Sequence, residues 1–108
     1  MTGPVVLLST VGKPEDAQRI AEALVERRLA ACVNILPGLT SIYHWQGKIQ
    51  RDDEVLLLAK TRADRYPALQ QALVELHPYE LPEVVAVSVK QGLSTYLAWL
   101  DAALDEGS

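Results

Sequence analysis

The apolar positions of this chain fall into short runs of two different periods. Pro4–Val11 is continuous and rich in Val and Leu, which predicts a buried strand. Gly12-Lys13-Pro14 ends it, and Pro14 with Glu15 and Asp16 suits the first turn of a helix. Ala17, Ile20, Ala21, Leu24 and Val25 then recur at the spacing of one helix face. From Leu29 to Thr61 the pattern is strand-like. It breaks at Pro37-Gly38, where a bulge or kink fits, and turns near Gln46-Gly47. This predicts a long β-hairpin. Asp64 is a candidate N-cap for a second helix, whose apolar face is Leu69, Ala72, Leu73 and Leu76 and which stops at His77-Pro78. Glu83–Lys90 predicts a strand. Ser94 can cap a last helix from Thr95 to about Leu104, with Leu97, Leu100 and Leu104 inward. The order β-α-β-β-α-β plus a C-terminal helix predicts an α+β domain, the ferredoxin-like split βαβ arrangement, with two helices on one face of an antiparallel sheet. One domain covers residues 1–108.

The hairpin is too long for its helices. An arm of about 14 residues spans roughly 45 Å, whereas a helix of about 13 residues spans about 20 Å. Yet the outer part stays apolar at Leu39, Ile42, Tyr43, Trp45 and Ile49. Uncovered, such a pair of strands is an aggregation site. A further copy of the chain would cover it, so a homo-oligomer is expected. The competing arrangement folds the hairpin back over its own sheet at Pro37-Gly38.

Composition narrows the function classes. With 49% hydrophobic and 22% charged residues the chain is an ordinary globular sequence, not a disordered segment. The formal net charge of −4 leaves no basic footprint for nucleic acid, and Arg27, Arg28, Arg62 and Arg65 read as solvated charges. The single cysteine, Cys32, excludes an intrachain disulfide. No apolar run reaches membrane-spanning length, and the N-terminus has no basic n-region. A reduced, cytoplasmic protein with no membrane or nucleic-acid partner is expected.

Catalytic signatures are missing. The six glycines are scattered, and neither His-x-x-x-His nor Cys-x-x-Cys occurs. Cys32, flanked by Ala30, Ala31 and Val33, reads as an inert core thiol, and His44 as an exposed histidine. The densest chemistry lies in the loop His77-Pro78-Tyr79-Glu80-Leu81-Pro82-Glu83. One imidazole and two carboxylates could hold a divalent cation. Equally, His77 could cap its helix and Tyr79 could be an aromatic anchor. No catalytic or cofactor-binding residue is assigned.

Several motifs appear together in order: Leu29-Ala30-Ala31-Cys32-Val33-Asn34-Ile35, Pro37-Gly38, Ser41-x-Tyr43-x-Trp45-x-Gly47-Lys48-Ile49, Glu54, Lys60-Thr61, His77-Pro78-Tyr79-Glu80-x-Pro82-Glu83 and Tyr96-x-x-Trp99. In these the chain resembles the CutA family, the divalent-cation tolerance proteins, from about Val5 to Leu104. The resemblance implies a homotrimer similar to the PII signalling proteins, with hairpin strands pairing across subunits. It also implies a role in tolerance of copper and other divalent metals, with copper as the candidate cofactor. His77 would be the metal ligand, and Trp45, Tyr79, Glu80 and Glu83 would lie at the inter-subunit clefts or interface. One departure bears on the metal. Some members carry a Cys at the end of the first strand and a second His beside His-Pro-Tyr; here those positions are Ser9 and Leu76. One imidazole without a thiolate is a poor copper site. A non-enzymatic binding protein is therefore expected. The alternatives are an enzyme built on His77, Tyr79, Glu80, Glu83 and Lys60, or a purely structural assembly.

Overall fold

The computed structural model describes residues 3–105. Seven elements follow one another: β1 (Pro4–Val11), α1 (Pro14–Glu26), β2 (Cys32–Trp45), β3 (Lys48–Arg62), α2 (Tyr66–Leu76), β4 (Val85–Ser88) and α3 (Ser94–Asp105). The four strands form one antiparallel sheet in the order β2-β3-β1-β4, the split-βαβ topology.

The pleat sorts the residues. Val5, Leu7, Ser9 and Val11 of β1 and Val55, Leu57, Ala59 and Thr61 of β3 are buried, while their alternates are half-exposed. The buried set meets Ala17, Ile20 and Leu24 of α1 and Leu69, Ala72 and Leu73 of α2 in one core. Two details of this layer differ from expectation. Val25 is 42% exposed, because the last turn of α1 faces an open groove beside Val33 and Ile35. The side chain of Asp64 turns to Arg62, Nε to Oδ1 2.8 Å, so α2 starts without a side-chain cap, with Arg65 at the N-cap and Pro67 in its first turn.

The hairpin is built as its turn residues dictate. Gln46 and Gly47 have φ of 53° and 77°, both left-handed, and Trp45 pairs directly with Lys48. A two-residue turn with both residues at positive φ matches the right-handed strand twist. Gly38, at φ 86°, marks a bulge: the register shifts between Leu36 and Leu39. β1 supports β3 only from Val55 to Arg62, so residues 39–54 project beyond the rest of the sheet. The long axis of the molecule is 45 Å. Ile42 and Ile49 at this end are 60% and 62% exposed.

β4 is half the expected length. Val84 is drawn into contact with the core and Glu83 borders a cleft, so pairing with β1 begins only at Val85. Cys32 is not a core thiol. It is half-buried, directly across from Lys60, on the sheet face turned away from α1 and α2. Leu36, Val85 and Val87 on that face are exposed, and Lys60 donates to the Asn34 amide oxygen there. The last helix begins at Ser94, which is itself helical; Leu100 and Leu104 are buried and Leu97 half-buried. Three arginines hold its C-terminal end. Arg28 and Arg65 donate to the carbonyls of Ala103 and Leu104, at 2.7 and 2.8 Å, and Arg62 pairs with Asp101 and Asp105. Cations at a helix C-terminus meet the negative end of its dipole.

Candidate functional site

The projecting hairpin and the loop between α2 and β4 enclose a cleft of about 1030 Å³. Its hairpin wall follows from the turn at Gln46-Gly47. With Trp45 opposite Lys48, Tyr43 falls opposite Gln50, Ser41 opposite Asp52 and Leu39 opposite Glu54, all on one face. Tyr43 donates its hydroxyl proton to the Asp52 carboxylate. That bond, followed by burial and the charges of Asp52 and Glu54, holds the Tyr43 phenol above its ordinary pKa.

The opposite wall is the loop from His77 to Val84, tied down at two points. His77 ends α2, its own N–H bonding back to Leu73. Its ring is buried, with the carbonyl of Thr10 2.8 Å from Nε2, and the Tyr79 N–H donates to Nδ1 at 3.1 Å. The second tie is Tyr79. Its ring lies 4.7 Å from the imidazole, and its hydroxyl donates to Glu54 Oε2 at 2.6 Å. Glu54 is 7% exposed. Gly12 makes room for this contact, since a Cβ there would come within 3.1 Å of the Tyr79 hydroxyl. Burial, then the bond to Glu54 and its charge, pushes the Tyr79 phenol well above the usual tyrosine range.

The cleft lining gathers Trp45, Tyr79, Glu80 and Glu83. His77 stands behind the loop, outside that lining, with both ring nitrogens engaged by the backbone. A metal ion would reach it only by displacing one of those bonds. Among the described residues no three His, Cys, Asp or Glu side chains converge as a metal site. Ser9 is fully buried on the core side of β1, its hydroxyl without a hydrogen-bond partner, and Leu76 packs against the core. Lys60 lies on the sheet face turned away from α1 and α2, outside the cleft lining.

Tyr43, Asp52 and Glu54 belong to the cleft and were absent from the sequence-based set. Counting back from a two-residue turn puts Tyr43 and Asp52 on one face, so that signal was available. The same count places Glu54 opposite Leu39, short of the bulge, but its contact with Tyr79, 25 positions on, is not local.

Residues 5–103 match the model of the family described as "CutA1 divalent ion tolerance protein". The chain is 55% identical over 95 residues to the divalent-cation tolerance protein CutA of Thermus thermophilus, covering 88% of this chain and 92% of the relative. It is 52% identical to the protein CutA of Mus musculus over 78% of its own length, but spans only 48% of that longer protein. Among solved structures, the Thermus thermophilus Cut A1 protein superposes with a TM-score of 0.88 at 54% identity, over 90% of this chain and 94% of that one. CutA from Xylella fastidiosa does so with a TM-score of 0.92 at 45% identity, over 94% and 98%.

Proposed function

Because the chain belongs to the CutA1 divalent ion tolerance family, we propose that it works as a homotrimer in the cellular response to divalent cations. In this reading it binds rather than catalyses, and its ligand sites are the clefts at the projecting hairpins, completed between subunits. The observation that carries the assembly is surface left uncovered by a single chain. β2 and β4 are both free edges, and Leu36, Val85 and Val87 on the face turned away from α1 and α2 are 43%, 51% and 53% exposed. Beyond them project Ile42 and Ile49. Free edges beside an apolar face favour closure by symmetric copies. Trp45, 43% exposed, would then be an anchor on a neighbouring chain.

A binding role fits the side chains better than catalysis does. The cleft holds carboxylates, phenols and the exposed imidazole of His44, but among the described residues no serine, cysteine or lysine nucleophile stands paired with that imidazole, and His77 is committed to the backbone. The working compartment in this reading is the cytoplasm. Copper is the metal to test, although Ser9 stands where a thiolate would strengthen such a site.

Native mass spectrometry with and without copper and zinc tests assembly and ligand together. A mass of three times 11.9 kDa is expected, without tight copper at one ion per chain. A monomer at micromolar concentration would refute the assembly. Tight stoichiometric copper that is lost in His77→Ala would show that the imidazole leaves its backbone partners to take metal.

A further inference from the structure

The chain just past α1 carries a residue that does not suit its backbone. Arg28 sits at φ 56°, in the left-handed region where glycine is the default after a helix. A side chain held there strains the backbone and persists only where its surroundings fix it. What fixes this one is far off in sequence. The Arg28 guanidinium donates to the carbonyl of Ala103, 75 positions away, at 2.7 Å.

Two more arginines meet α3 at the same corner. Arg65 donates both to the Arg28 carbonyl, at 3.0 Å, and to the Leu104 carbonyl, at 2.8 Å. Arg62, with a side chain 11% exposed, pairs with Asp101 and Asp105 of α3 and with Asp64. Ala103 and Leu104 are among the last carbonyls of α3, which a helix leaves without internal donors. The apolar seat beneath this clamp is small. Leu100 and Leu104 are buried, yet neither belongs to the core that β1 and β3 form with α1 and α2. A helix held by a satellite cluster and a polar clamp opens at a lower free energy than the core does.

We infer that α3 is a releasable strap over an arginine triad. Closed, it occupies the guanidinium groups of Arg28, Arg62 and Arg65. Open, it presents all three to solvent at one corner of a chain whose formal net charge is −4, and it uncovers Leu100 and Leu104. The strap is thus a device that masks the one basic corner of an acidic molecule. Every bond of the clamp lies within a single chain, independent of how copies assemble.

Hydrogen exchange of the full chain at one protein concentration tests this, read separately over residues 98–104 and over β1 and β3. The α3 amides should exchange at least about tenfold faster than those of β1 and β3, and should respond less to urea, because little surface opens with the strap. Arg28→Gly removes the bond to Ala103 and relieves the left-handed backbone. It should speed α3 exchange several-fold while β1 and β3 change less, since relief of strain offsets the lost bond in the whole fold. Arg65→Gln should also speed α3, by about tenfold. Lys13→Gln, an equal loss of charge just before α1, should leave α3 unchanged. Amides of α3 that share the rate and the urea dependence of β1 and β3 overturn the strap, because the helix then opens only with the whole fold. The clamp is overturned if Lys13→Gln speeds α3 as much as Arg28→Gly does, which would mean that net charge alone sets the rate. It is overturned equally by α3 exchange that neither Arg28→Gly nor Arg65→Gln moves.

Discussion

Removing one oxygen from Tyr79 isolates the contact that ties the 77–84 loop to the hairpin. In Tyr79→Phe the ring keeps its place against His77, and Glu54 loses its hydrogen-bond donor while staying buried. A hydrogen bond to a charged group contributes about 1.5–3 kcal/mol net. Tyr79 is 37% exposed, so water replaces part of the loss and about 1–2 kcal/mol is expected. The same substitution in a Glu54→Leu background should cost far less, because both polar partners are then gone. Urea unfolding at one fixed protein concentration measures both, since mass action enters the stability of any assembly. Alkaline pH supplies a second reading. The phenol is held above its ordinary pKa, so its contribution is complete below about pH 10 and declines as pH rises through the folded-state value. The difference between wild type and Tyr79→Phe should therefore shrink above about pH 10. Equal losses in the wild-type and Glu54→Leu backgrounds would refute the reasoning, since they would place the effect in the ring and not in the bond.

Two further outcomes concern the scaffold. Ser9→Ala removes a fully buried hydroxyl that has no partner, and should stabilise the protein by about 1 kcal/mol in urea unfolding; a loss of that size would reveal a partner for the hydroxyl. Arg62→Gln releases Asp64, Asp101 and Asp105 at the end of α3. Bonds to Arg62 hold the Asp64 and Asp105 carboxyls below their ordinary range, so their contribution is complete above about pH 4 and fades below it. The variant should lose part of the wild-type drop in stability between neutral and acid pH, and an unchanged acid limb would mean that these exposed pairs contribute nothing measurable.

The sequence was most legible where one local rule decides the outcome. Gln46-Gly47 turns the hairpin because a two-residue turn needs two residues at positive φ, and Pro37-Gly38 breaks the ladder because Pro donates no hydrogen bond. Legibility failed where two segments compete for one residue. Asp64 has the side chain of an N-cap, yet a guanidinium two positions away is the stronger partner. Cys32 has core-like neighbours, but on a sheet covered by α1 and α2 on one face only, alternation decides which side is dry. His77 shows the limit most plainly. Its composition-based readings, metal ligand and helix cap, differ only in where its two ring nitrogens point. The carbonyl of Thr10 and the N–H of Tyr79 decide that, and neither could be placed beside the ring before the loop was.

The same reasoning explains why the chemistry of the cleft was hidden. Each member is ordinary in sequence: a Tyr-x-Trp in a strand, an acidic run after a turn, a proline-bounded loop. What makes them a site is that β1 ends at Val11 while β2 and β3 continue, leaving a wall of hairpin with space behind it. The loop after α2 enters that space, and Tyr79 closes on Glu54 across it. Burial of Glu54 is thus a consequence of unequal strand lengths, and Tyr79 supplies the hydrogen bond that a buried carboxylate needs. An equal β1 would place a neighbouring strand beside the Asp52–Glu54 stretch, and the position of Glu54 would then favour an apolar residue. Here the sheet stops short of Glu54, and a loop side chain, Tyr79, meets the carboxylate where a strand would otherwise lie.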